Sequence, residues 1–208
     1  MSAHYLNLLF TDGARAAQTA AGSRKAYARA DDAPDQPDVL GPRELEFIAA
    51  RDSLYMATLG KDGWPYLQHR GGPPGFVKTL SDRHLGFADF RGNRQFISLG
   101  NLAPDGRVSL FFMDYVNRAR LKLLGRMRAV SLADAPGLQA ALVDEDYGAV
   151  VERGLVVEVE AFDWNCPQHI TPRYTLAELE PALDTLKRRI AELEGQLAES
   201  GTSITSNA

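Results

Sequence analysis

A single cysteine, Cys166, in 208 residues excludes an intramolecular disulfide and any metal site built from several thiolates. Histidine is scarce too, and His4, His69 and His84 show no metal-ligand spacing, so no bound metal is expected. No stretch reaches the roughly eighteen apolar residues of a membrane span. The opening MSAHYLNLLF has no basic segment ahead of a long apolar core, and the expectation is a cytoplasmic protein with no membrane partner. Positive charge is in deficit: 23 Lys and Arg against 27 Asp and Glu give a net charge of −4. That balance argues against nucleic acid as the partner of the whole molecule. Two phosphate-binding patterns are also missing, the GxxxxGK loop followed by Ser or Thr and the dinucleotide GxGxxG.

What is present is 45% hydrophobic content, enough for one substantial core with extensions. Leu6, Leu9 and Phe10 recur at helical spacing and predict one helix over 6–19. ADDAPDQPDVLGP, residues 30–42, carries too much Asp and Pro for a regular element and reads as a linker or extended arm. Pro42 suits the first turn of a helix over 43–51. Strands are predicted over 53–59 and 64–70 around the hairpin signal Gly60-Lys61-Asp62-Gly63. A further pair, 76–80 and 84–89, spans Ser81-Asp82-Arg83, and the four strands together suggest a meander. A helix is expected over 93–102. RVSLFFMDY, 107–115, is apolar on both faces in its middle and should be a central buried strand. Residues 120–130 alternate, with Leu121, Leu123, Met127 and Ala129 on one face and Arg120, Lys122, Arg126 and Arg128 on the other. A helix over 135–147 and a strand over 155–162 follow.

The C-terminal pattern is different. Leu176, Leu179, Leu183, Leu186, Ile190, Leu193 and Leu197 alternate spacings of three and four, the seam of a heptad helix. That seam needs an apolar partner, either its own domain or the same helix of another subunit. The domain plan is therefore an N-terminal helix and arm (1–41), a body (42–174), a C-terminal helix (175–200) and a disordered tail (201–208).

The stretch from Gln68 to Arg94, QHRGGPPGFVKTLSDRHLGFADFRGNR, reads as an anion site. Gly71 to Gly75 looks like backbone that a ligand can approach closely. Arg70, Lys78, Arg91 and Arg94 combine bidentate guanidinium forks with a point charge, which suits a phosphomonoester. Asn93-Arg94 stands at the predicted start of a helix, where free N–H groups favour an anion. The bland alternative is an ordinary solvated surface. The basic face of 118–128 is read as a barrel wall, since it lacks the interleaved aromatics of a nucleic-acid surface.

Strand, hairpin, strand, Arg70, Lys78, then FADFRGNRQFISLGNL, RVSLFFMDY and RARLKLLGRMRAV resemble the FMN-binding split-barrel family typified by pyridoxamine 5′-phosphate oxidase, over roughly 42–162. The resemblance implies a mainly antiparallel split β-barrel with flanking helices and a homodimer holding FMN between its subunits. It gives the FMN phosphate to Arg70, Lys78 and Asn93-Arg94, with Arg91 as an added candidate, and a ring or ribityl contact to Arg120. The oxidase's C-terminal Trp and Arg-x-x-Pro signature is missing. DWNCPQHITPRY, 163–174, instead resembles an NCPQHI-type ending found in another branch. Gln168 and His169 are candidates to place donors near the flavin ring, against a structural role for His169, and Cys166 reads as a small packed residue. The implied activity is an FMN-dependent oxidoreductase on a small organic substrate, exchanging electrons with NADH, NADPH or oxygen, with no catalytic residue assigned. The alternatives are a non-catalytic flavin-binding sensor or carrier, and a split barrel using haem or a deazaflavin.

Overall fold

The computed structural model describes residues 2–32, 34–164 and 166–204. Two compact units divide the chain, one from Met1–Asp114 with Arg118–His169 and the other from Tyr115–Asn117 with Ile170–Ala208. The first unit opens with helices α1 (Ala3–Leu9), α2 (Asp12–Ala20) and α3 (Arg24–Tyr27) and continues through α4 (Pro42–Ala49). Its strands are β1 (Ser53–Leu59), β2 (Pro65–Gly71), β3 (Lys78–Thr79), β4 (His84–Phe90), β5 (Arg107–Asp114), β6 (Ala119–Val130) and β7 (Val151–Trp164). Two short helices lie between strands, α5 (Ile97–Leu102) and α6 (Pro136–Leu142).

All seven strands join one antiparallel sheet in the order β2-β1-β5-β6-β7-β4-β3. Among the described residues the sheet is not closed by backbone pairing, but Arg70 of β2 reaches Asp89 of β4 at 2.5 Å, so β2, at one end of the strand order, faces β4, next to the other end, across the split. This is the expected split barrel with flanking helices. The expected meander of the first four strands is not formed. The β1–β2 hairpin lies at one end of the sheet and the β3–β4 pair at the other, because β1 pairs with β5 and β4 with β7.

The core is the inner face of this sheet. Leu54 and Met56, Leu110 and Phe112, Leu121 and Leu123, Val157 and Val159, and Leu85 and Phe87 are at most 1% exposed. Each such side chain contributes about 1.5–3 kcal/mol by burial. β5 alternates buried and half-buried residues, where its sequence suggested burial on both faces. The strand buried on both faces is β4. A Cβ on Gly86 would come within 2.9 Å of both Leu142 of α6 and Leu80, which leaves no room for a side chain there.

β7 carries two irregularities that matter below. Its ladder with β4 steps from Asp89↔Arg153 to Phe90↔Val151, leaving Glu152 as the extra residue of a bulge. Its ladder with β6 steps from Leu124↔Ala161 to Gly125↔Val159, leaving Glu160 extra. Gly125 sits so tightly there that a Cβ would lie 2.5 Å from the Glu158 carbonyl oxygen. It is an interior residue of β6.

The N-terminal region departs from its expected form in two ways. The single helix over 6–19 is broken at Phe10 and Thr11, because the Thr11 hydroxyl accepts from the Ala14 amide and starts α2 afresh. The extended arm is pinned: the Asp38 amide donates to Glu160 O, the Asp38 carboxylate accepts from the Phe162 amide and the Ser2 hydroxyl, and Leu40 N–H donates to Asp82 O. α4 begins with Pro42 at its first turn, and Glu44 accepts from both the Gly41 amide and the Trp164 indole N–H.

The second unit is dominated by α7 (Leu176–Ile204). Thr175 and Glu178 cap its start reciprocally, the Thr175 amide donating to the Glu178 carboxylate and the Glu178 amide to the Thr175 hydroxyl. Of the tail expected to be disordered, 201–204 belong to α7, and 205–208 lie outside the described residues.

Candidate functional site

β2 contributes Tyr66, Gln68 and Arg70, alternate residues that share one face, to a cavity of about 70 Å³ completed by Asp89, Phe90, the loop 92–96, the first turn of α5, Glu152 and Arg153. Asp89 is the hub on one side. Its carboxylate accepts from Arg70 Nη1 at 2.5 Å and from Arg153 Nη1 at 2.9 Å. Glu152 is the hub on the other, accepting from Arg153 Nη2 at 3.1 Å and from Arg91 Nε at 3.2 Å, with Arg94 Nε at 3.5 Å. Both carboxylates are nearly buried, at 10% and 11% side-chain exposure, whereas Arg91 and Arg94 are more than half exposed.

The bulge in β7 explains how neighbours in sequence share this corner. In a regular strand, Glu152 and Arg153 would point to opposite faces. The extra residue removes that alternation locally, so the two side chains meet each other and converge on the same arginines. Phe96 adds an aromatic wall, with the guanidiniums of Arg153 and Arg94 at 5.3 and 5.6 Å from its ring centre. Gln68 accepts from Ser98 Oγ at 2.8 Å, fastening the start of α5 to β2.

Four guanidiniums meet two carboxylates here, leaving a surplus of two positive charges. Arg70 Nε is also buried with no hydrogen-bond partner. That donor set fits a phosphomonoester of charge about −2. The cavity is far below the roughly 300–1,000 Å³ of a whole small-molecule site, so it suits the anionic end of a ligand alone.

Arg70, Asn93 and Arg94 thus line one cavity and Arg91 joins its ion-pair network. Lys78, paired with Gly86, does not line it, nor does Arg120, which stands opposite Met113 on β6. Gln168 and His169 lie outside it as well, both exposed. Three expectations change. Asn93 and Arg94 are not at a helix start: α5 begins only at Ile97, and Arg94 and Phe96 hold left-handed φ of 59° and 55°, which interrupts any helix through 93–96. The glycines of Gly71–Gly75 serve the chain's own packing. Gly72 and Gly75 donate their amides to Asp52 O and Arg51 O, and a Cβ on Gly72 would strike Phe76 at 2.6 Å. Cys166 is exposed rather than packed, and Asn165 of the NCPQHI segment lies outside the described residues.

The residues missed from sequence are Asp89, Glu152 and Arg153. The available signal was the adjacent, oppositely charged pair Glu152-Arg153 at the start of β7, ahead of the apolar run Leu155-Val156-Val157; the bulge that aims both inward has no such mark.

An arginine-lined cavity thus lies at the split of this antiparallel barrel. A family model described as pyridoxamine 5′-phosphate oxidase matches residues 40–169, and the chain belongs to that family. A comparison with curated proteins finds no match. Among solved structures, an FMN-binding protein from Syntrophomonas wolfei is similar at 12% identity, covering 71% of this chain and 97% of that one, with a TM-score of 0.44. A protein related to general stress protein 26 (pyridoxinephosphate oxidase family) from Clostridium acetobutylicum is 16% identical, covering 64% and 92%, with a TM-score of 0.40. An F420 reductase is 19% identical, covering 59% and 98%, with a TM-score of 0.41.

Proposed function

We propose that this protein is an FMN-dependent oxidoreductase acting on a small organic substrate in the cytoplasm, with FMN held between two copies of the chain. The observation that carries the reading is the surplus of two positive charges on a phosphate-sized cavity. Asp89 and Glu152 hold the guanidiniums of Arg70 and Arg153 in fixed directions, so little ordering remains when a phosphate arrives. Arg91 and Arg94, more exposed, supply attraction at the mouth. Asn93, whose side-chain Oδ1 accepts from the Gln95 backbone amide, holds the turn that carries Arg94. Leu67 and Trp64 are 64% and 77% exposed and offer apolar surface to the second copy that must enclose the remainder of the cofactor. Bound FMN would supply the hydride chemistry, and the protein's contribution is binding, orientation and local charge.

The test is the visible spectrum of the purified protein with added FMN. A flavin spectrum that follows the protein on gel filtration, FMN release on denaturation, and oxidation of NADH or NADPH with an acceptor are expected. A protein that takes up no FMN sinks the reading, and one that takes up haem or a deazaflavin in its place redirects it. FMN uptake without turnover would leave a flavin carrier or sensor.

A further inference from the structure

The seam of α7 is exposed over its whole described length: Leu176 83%, Leu186 61%, Ile190 56% and Leu197 71%, with Leu179, Leu183 and Leu193 between 38% and 45%. Seven large apolar residues at spacings of three and four form a stripe along a helix of 29 residues, about 40 Å long. The positions around the stripe are ordered too. With Leu176, Leu183, Ile190 and Leu197 as a and Leu179, Leu186 and Leu193 as d, the helix-weakening residues Pro181 and Gly195 both fall at f, the position farthest from a partner helix.

We infer that α7 forms a parallel two-stranded coiled coil with α7 of a second copy of this chain. The charges fix this occupant and this direction. Arg189 is at g and Glu194 at the following e, the two positions that meet across a parallel in-register pair. Two copies therefore form two Arg189–Glu194 contacts related by symmetry. The other g positions, Ala182 and Gln196, are uncharged and oppose nothing. Within one chain Arg189 makes an exposed contact to Glu192 at 2.9 Å, which can be exchanged for the intermolecular one at little cost. Ile190, the β-branched residue among the a positions, with Leu at every d favours two strands at its layer, the other a positions being Leu. This association is separate from the flavin site, and no residue of that site takes part in it.

Disulfide trapping of the full chain tests it. In a Cys166→Ser background, Leu179→Cys and Leu193→Cys are made as separate single-cysteine proteins. Each is expected to give a covalent dimer with itself on mild oxidation, whereas Arg188→Cys, at f, gives none. Neither seam cysteine forming a dimer would overturn the proposal, as would an antiparallel result in which only a mixture of the two proteins cross-links. A second measurement needs no new cysteine: Arg189→Glu should weaken self-association several-fold in sedimentation, and adding Glu194→Arg to the same chain should restore it. Failure of rescue overturns the parallel register. Loss of FMN uptake would refute the flavin reading while leaving the cross-links intact.

Discussion

Two parts of this molecule are rich in basic residues, and they use them in opposite ways. On β6, Arg120 and Lys122, then Arg126 and Arg128, stand two residues apart with Leu124 between the pairs, so neighbouring charges are about 7 Å apart within a pair and about 13 Å apart between pairs. They do not converge. Lys122 is bound to Asp163 at 2.8 Å and lies 4.9 Å from the Tyr5 ring centre, while Arg126 and Arg128 are exposed. At the split, arginines from β2, β7 and the loop after β4 close on two carboxylates within 3.5 Å. The denser run of charge in the sequence is thus the wall, and the dispersed set is the pocket. Convergence from several strands, more than local charge density, gathers positive charge around one cavity.

Substitutions can break that contrast. Arg70→Ala and Arg153→Ala should each lower FMN affinity about 10- to 100-fold, since a charge-assisted phosphate contact is worth roughly 1.5–3 kcal/mol; fluorescence titration measures it. On the wall side, burial of Tyr5, with the Asp163 carboxylate acting in the same direction, pushes its phenol up to about 12. A folded pKa raised above the unfolded value stabilises fully below about pH 10, and that contribution is lost as pH rises from 10 through about 12. Ultraviolet titration should show a tyrosine ionising at about pH 12 that is missing from Tyr5→Phe, and that variant should lack the corresponding alkaline loss of stability. Arg94→Ala, at an exposed position, should weaken FMN only a few-fold, more at low salt than at high. Smallest of all, Arg126→Ala or Arg128→Ala should leave FMN affinity unchanged within about twofold; a loss equal to that of Arg153→Ala would erase the distinction between wall and pocket.

The sequence carried much of this architecture, for physical reasons. Period-two alternation and turn residues mark β1, β2, β4, β5 and β6 because each is half-buried or bounded by Gly, Asp or Ser. The strand order escaped because β1 meets β5 and β4 meets β7 through pairings far apart in the chain. The start of α5 was misplaced since two non-glycine residues, Arg94 and Phe96, take left-handed backbone, a choice of tertiary packing over local preference. Arg70, Asn93 and Arg94 were legible as chemistry, being polar residues beside turns. Arg153 was not, because its role depends on a bulge and on a partner, Asp89, that reads as the end of a strand.

That bulge also makes Glu152 a detachable residue. Asp89 already pairs with Arg153 and Phe90 with Val151, so loss of the one codon between them would leave two consecutive rungs of an unbroken ladder. The deletion would take away the carboxylate on which Arg91, Arg94 and Arg153 meet and raise the charge of the pocket by one. A chain built this way can retune its hold on an anion by a change in length rather than in residue type.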